Sequence, residues 1–216
     1  MTPRSILVVT DFSELGGHAL ARAALLGAEH RAALQLVYLS APGEIPPPDV
    51  AVRLSHHALQ LRQLHQIAVQ AVSRVDCTVA DIARAAATHD LVVWGTAPQR
   101  GLRAWWGTHP ALKLLRACQR PVVVVRTAAD QTYQSLLVAV DFSEASHRLV
   151  ELGLALHPRA RLELFHAVST ANEGKLRYAE VSERAIQTYR EQCRRHAQDR
   201  MFTLTDSYDA RRNRLS

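Results

Sequence analysis

Hydrophobic residues along the chain fall into short unbroken runs, separated by stretches in which apolar positions recur at helical spacing. The first run, SILVVT at Ser5–Thr10, is nearly all apolar and rich in β-branched residues. A strand buried on both faces has this composition, which implies a parallel sheet covered by helices. Asp11 ends the run, and Ser13 is placed to cap the helix that follows, along which Leu15, Ala19, Ala23 and Leu26 share one stripe. A second strand is predicted at Ala33–Leu39. The segment Ser40–Asp49 holds Pro42, Gly43 and the run Pro46–Pro48, so it must be a loop. A helix fits Val50–Gln66, with Leu54, Ala58, Leu61 and His65 on one side, a third strand fits Ile67–Val72, and a short alanine-rich helix fits Thr78–Thr88. LVVWG at Leu91–Gly95 and PVVVVR at Pro121–Arg126 are the fourth and fifth strands, with a Gly/Pro/Trp loop and a helix at Pro110–Cys118 between them. Strand and helix alternate throughout. The expected architecture is a doubly wound five-stranded parallel sheet with helices on both faces and right-handed crossovers.

After Thr127–Tyr133 the pattern starts again. SLLVAV at Ser135–Val140 repeats SILVVT, Asp141–Glu144 repeats the DFSE of Asp11–Glu14, and RLELFHAV at Arg161–Val168 repeats the second strand. A long charged helix is expected at about Lys175–Arg200, then a possible short strand (MFTLT, from Met201) and an arginine-rich tail. Counterparts of LVVWG, the glycine loop and PVVVV are absent. The expected organisation is a complete domain at 1–127, a linker at 128–133 and a partial second copy at 134–216. In a sheet of this type the first strand is central, so Ser135–Val140 is expected to present a bare edge, and bare apolar edges invite pairing.

Composition adds exclusions. Of the 216 residues 48% are hydrophobic, enough for a core, and no apolar run approaches the roughly 20 residues that span a bilayer. The N-terminus reaches an acidic pair too soon for a signal peptide, so a cytoplasmic protein with no membrane partner is expected. Cys77, Cys118 and Cys193 lie far apart, with no CxxC and no zinc spacing. The net charge of +6 is mostly arginine interleaved with acids at helical spacing, as in Glu180, Glu183, Arg184, Arg190, Glu191, Arg194 and Arg195. That is the pattern of a solvated helix face. No recognition motif accompanies it, so direct nucleic-acid binding through the arginine-rich tail is only a third reading.

Candidate chemistry gathers at the carboxyl ends of the first unit's strands, where ligands sit in parallel α/β sheets. Asp11 ends strand one. The loop after strand four reads Gly95-Thr-Ala-Pro-Gln-Arg-Gly101-Leu-Arg-Ala-Trp-Trp-Gly107-Thr108. Glycines let the backbone approach a phosphate, the start of the Pro110 helix favours an anion, and Thr108 can cap that helix or bond a phosphate oxygen. An aspartate after a strand also commonly closes the turn into the next helix. Asp141 repeats it in a unit with no phosphate loop, so the residue type alone does not mark a nucleotide site. His56, His57 and His65 on one predicted helix lack an acidic partner. Ser13 and Ser143 have no histidine at a fixed distance to activate them, and no acid–base pair suggests an enzyme.

Taken together, VVTDFSE, LQLVYL, HDLVVWGT, RGLRAWWGT and RPVVVVR resemble the universal stress protein family in its tandem form, an adenine nucleotide alpha hydrolase-like fold. The resemblance implies a stress-response module acting through dimerisation and protein contacts, without enzymatic chemistry. Many members bind ATP, with Mg²⁺, through a loop written G-x2-G-x9-G-S/T, and others bind no nucleotide. Carried onto this chain, the nucleotide residues are Asp11, Leu39, Trp94, Gly95, Gly101, Gly107 and Thr108. The loop departs from the pattern. Pro98 stands at the second glycine, with no N–H and no access to positive φ. Eleven residues separate Gly95 from Gly107 where the pattern has twelve. Trp94 precedes the first glycine, where it can stack on a base or fill the pocket. Two readings follow: a dimerising module with a degenerate loop, or an ATP-binding switch. In this family the fifth strand commonly pairs across a dimer interface, which implies a homodimer through Pro121–Arg126.

Overall fold

The computed structural model describes residues 2–40, 44–72, 78–96, 110–170 and 172–212. The chain forms two compact units, Met1–Thr132 and Tyr133–Ser216.

The first unit is built on five parallel strands: β1 (Ser5–Thr10), β2 (Ala33–Tyr38), β3 (Val69–Ala71), β4 (Leu91–Gly95) and β5 (Val122–Val125), in the order β3-β2-β1-β4-β5. β1 is central, with Ile6 beside Leu34 on one side and Leu91 on the other. Its residues Ile6 to Val9 are fully buried, which is why the run shows no polar alternation. The order reverses between β1 and β4, so the crevice of a doubly wound sheet lies at their carboxyl ends. Helices α1 (Glu14–His30), α2 (Val50–His65), α3 (Val79–Ala86) and α4 (Pro110–Ala117) cover the faces. Ile82 and Ala86 of α3 and Leu114 of α4 close one face over Leu7, Val9, Val37, Val92 and Trp94. Predicted starts hold well. The Ser13 hydroxyl accepts the Gly16 N–H that α1 leaves unpaired, and Thr78 with Asp81 forms a reciprocal cap on α3.

The second unit repeats only the opening. β6 (Ser135–Ala139) and β7 (Arg161–Phe165) form a two-stranded parallel sheet, with α5 (Glu144–Leu156) between them in sequence. Two sequence expectations are corrected after β7. The single helix expected from Lys175 is broken into α6 (Glu173–Tyr178) and α7 (Glu183–Arg212) at Glu180, whose φ of 54° ends the first piece. MFTLT is not a strand but part of α7. Met201, Leu204 and Tyr208, spaced i, i+3 and i+7, pack on Val138, Leu162 and Leu164 of the sheet. The hydroxyls of Thr203 and Thr205 bond back to Asp199 O and Met201 O, which satisfies β-branched residues inside a helix.

β6 and β7 are covered on that face alone. Their residues alternate between exposed and half-buried, and Leu137 is 68% exposed where its duplicate Leu7 is fully buried. Among the described residues the expected bare edge of the first repeated strand is present, and β6 pairs with β7 only.

Candidate functional site

At the carboxyl end of β1 the chain turns sharply into α1. Asp11 is exposed, and its Oδ1 accepts the Ser13 N–H at 2.9 Å and the Ser13 hydroxyl at 2.5 Å. Ser13 Oγ in turn accepts Gly16 N–H at 3.2 Å. Between them Phe12 has φ 59°, a left-handed conformation costing a side-chain-bearing residue about 1–2 kcal/mol. Several contacts offset this. Phe12 N–H donates to Thr10 Oγ1 at 3.1 Å, and its ring stacks on Tyr38 (centroids 5.0 Å apart) and His57 (5.8 Å). The Arg53 guanidinium lies 4.0 Å over the ring. An aromatic pair and a cation over a ring each contribute about 0.5–1 kcal/mol, which together match the strain. Burial, helped by the charges of His56 and Arg53, pushes the His57 pKa down, which favours the neutral ring in the stack. Burial and the carboxylates of Asp11 and Glu44 raise that of Tyr38.

The second unit repeats this turn with one exchange. Phe142 has φ 63°, and its ring meets His166 at 4.3 Å and the Arg200 guanidinium at 4.7 Å. His166 and Arg200 occupy the places of Tyr38 and Arg53, although Arg200 comes from α7 rather than from a counterpart of α2. The exchange concerns hydroxyls. Thr10 becomes Val140, and Gly16 becomes Ser146. Ser146 Oγ now donates to Asp141 Oδ1 at 2.6 Å and accepts the Asp141 N–H at 2.9 Å. Hydrogen bonds from Ser143 and Ser146 hold the Asp141 carboxyl well below the usual carboxylate range. In the first unit a Cβ at Gly16 would lie 2.6 Å from Thr10 Oγ1 and 2.8 Å from Asp11 Oδ1, so the two arrangements exclude one another. Asp11 Oδ2 accepts no hydrogen bond among the described residues.

The structure gathers four of the sequence-predicted residues at this end of the sheet. Leu39 N–H donates to Thr10 O at 3.0 Å, and the Leu39 side chain is half-buried against the α3/α4 face. Trp94 is 5% exposed and packed in that same core, between Val9 and Val124 in the strand register. Gly95 meets the first turn of α1 so closely that a Cβ there would lie 1.8 Å from Leu15 O and 3.0 Å from Gly16 N. Asp11 and Gly95 therefore both come close to Gly16. Gly101, Gly107 and Thr108, with Pro98, Trp105 and Trp106, lie outside the described residues. The sequence reading missed the cover over Phe12 made by Tyr38, Arg53 and His57, and the part played by Gly16. The recurrence of phenylalanine in both DFSE copies was the signal available. Among the described residues no group of three or more His, Cys, Asp or Glu could hold a metal, and no helix is long and apolar enough to cross a membrane.

The fold matches solved structures that include universal stress proteins. A universal stress protein from Archaeoglobus fulgidus DSM 4304 aligns at TM-score 0.66 with 15% identity, over 83% of this chain and 71% of that one. A Pseudomonas aeruginosa UCBPP-PA14 chain ascribed to the universal stress proteins aligns at 0.60 with 22% identity, over 92% and 70%. A universal stress protein solved in complex with cAMP aligns at 0.50 with 18% identity, over 59% of this chain and all of that one. A search of curated proteins finds no match. The model of the universal stress protein family matches residues 3–126 and again 132–213, in step with the two units of the fold. The chain belongs to the universal stress protein family.

Proposed function

We propose that the protein is a stress-response module that works through dimerisation and protein contacts, with its nucleotide end given over to structure. The observation carrying this reading is the commitment of the groups around β1 and β4. Trp94 is packed into the core, Gly95 is glycine because α1 leaves no room for a side chain, and Asp11 Oδ1 holds the turn. Pro98 removes a backbone N–H from the following loop. Ser13 bonds Asp11 and Gly16, and no hydrogen bond joins it to a histidine among the described residues. The dimer forms through β5, an edge strand of four valines. Val92 N–H bonds Pro121 O, so in a parallel ladder the N–H and C=O of Val122 and Val124 point away from β4, toward a partner strand. Val124→Pro deletes an outward donor and keeps an apolar side chain. Sedimentation velocity at micromolar concentration is expected to show self-association of the parent and the loss of one association step in Val124→Pro. A monomeric parent defeats the reading.

A second reading, a nucleotide-binding switch for ATP with Mg²⁺, has two supports: Asp11 Oδ2 is unengaged among the described residues, and one structural neighbour was solved with cAMP. Calorimetric titration with Mg-ATP and with cAMP separates the readings. Heat from the parent that disappears in Gly107→Val establishes the switch, and no heat from the parent removes it.

A further inference from the structure

We infer that the open edge of β6 is a second self-association surface, on which β6 of another copy of this chain pairs antiparallel about a two-fold axis through Leu137. The starting point is the contrast between duplicates. In the first unit the edge of β1 away from β2 is bonded along its length by β4. In the second unit that position is empty among the described residues, and an open cleft of about 330 Å³ lies at the carboxyl end of the strand. Ala139, Ala145, Ser146, Leu149 and Phe165 line it. Ala145 and Ser146 are the counterparts of Leu15 and Gly16, which Gly95 touches in the first unit.

The ladder fixes which groups are available. Arg161 N–H bonds Gln134 O and Val140 N–H bonds Phe165 O, so with Ser135 beside Arg161 the even-numbered residues turn to β7. Ser135, Leu137 and Ala139 direct both N–H and C=O to the open side. Edges left in solution usually carry a lysine, a proline or a bulge. SLLVA carries none of these.

Charge and register favour a second copy over a foreign strand. No residue of β6 is charged. Of the charged groups near it, Arg161 pairs with Glu163 at 3.1 Å and Arg148 with Glu144 at 3.2 Å, and Asp141, which lines the cleft, bonds Ser143 and Ser146. A copy arriving about a two-fold therefore meets no opposed charge, and a charged strand finds nothing to complement it. The register that uses every outward group sets Leu137 opposite Leu137 and Ser135 opposite Ala139. Leu137, 68% exposed, then meets its own copy, with the small Ser135 and Ala139 opposite one another on either side. Leu149, 49% exposed, flanks the joint on the helical face. This surface is independent of β5, and a chain using both associates beyond a dimer.

The test exploits the self-pairing of one residue. Leu137→Lys and Leu137→Glu each place like charges opposite one another at the axis, and the exposure of Leu137 leaves the fold in place, checked by far-ultraviolet circular dichroism. In the Val124→Pro background, which silences β5, sedimentation velocity is expected to show the second-unit dimer. Either charged variant then halves the mass, raising the dissociation constant by about tenfold or more, equivalent to about 1.4 kcal/mol. An equimolar mixture of the two variants restores the dimer. A Val124→Pro protein that is already monomeric at tens of micromolar, charged variants that keep the parent's mass, or a mixture that stays dissociated overturns the inference. Loss of the β5 dimer with this association intact separates the two readings.

Discussion

Gly95 offers the sharpest test of what the first unit's glycines are for. If it serves a phosphate, Gly95→Ala should spare the fold and weaken a ligand. The geometry says otherwise, because the added Cβ would sit 1.8 Å from Leu15 O and 2.4 Å from Leu15 C. Real Cβ contacts essentially never fall under 3.0 Å, so β4 or the first turn of α1 must move by roughly an ångström. Neither moves freely, since β4 is bonded on both sides and α1 is pinned by its cap. Overpacking costs about 1–3 kcal/mol, and a backbone obstacle places this case at the upper end, about 3 kcal/mol. With about 2.1 cal/mol/K of unfolding entropy per residue over Met1–Thr132, that lowers Tm by about 10 °C. Scanning calorimetry measures the shift, and amide exchange at Ile6 to Val9 reads the first unit alone. Gly17 is the control. Nothing lies within 4 Å of a Cβ there, so Gly17→Ala removes only the entropic cost of glycine and raises stability by about 0.5–1 kcal/mol. A Gly95→Ala protein that unfolds at or above the parent's temperature refutes the packing argument.

Two further outcomes follow from the paired turns and the C-terminal helices. Gly16→Ser alone should destabilise by about 1–3 kcal/mol, because its Cβ meets Thr10 Oγ1 at 2.6 Å. Adding Thr10→Val, which recreates the second unit's arrangement, should return about 1 kcal/mol or more; urea titrations showing additivity within about 0.5 kcal/mol argue against the exchange. In the second unit, hydrogen bonds from Arg190, then Arg177, lower the Glu173 pKa from 4.5 to about 2. A depressed folded pKa means the stabilisation is complete above pH 4.5 and is lost as pH falls from there toward 2. The Arg190 Nε–H resonance should follow that loss in the parent and show no such step in Glu173→Gln. An unchanged profile in the variant assigns the transition elsewhere.

The sequence was most readable where strands are buried on both faces. SILVVT and LVVWG have no polar alternation to mislead, and Ser13 and Ser143 cap helices by local geometry that residue type announces. The α7 segment was hardest. Thr203, Thr205 and Phe202 favour a strand by propensity, and only the cover they help to place over Val138 and Leu164 decides for helix. At the site, the sequence placed Asp11 and Gly95 at one end of the sheet but not the reason for the glycine. Close approach to Leu15 O joins residues eighty positions apart and leaves no periodic trace. The left-handed Phe12 was equally hidden, since its cover comes from Tyr38, Arg53 and His57, on two elements distant in sequence.

The use of α7 as the lid of the second sheet has a consequence during synthesis. β6, α5 and β7 are contiguous and complete by Phe165, so they can associate as they emerge. The rest of their cover is Met201, Leu204 and Tyr208, which follow more than thirty residues later. Until then only α5 covers that face, with Gly153 against Val138 and Leu162, and the other face is open to water. A ribosome paused before Met201 holds a segment prone to associating with a neighbour. The translation rate through α6 and the start of α7 then affects how much chain reaches its native state.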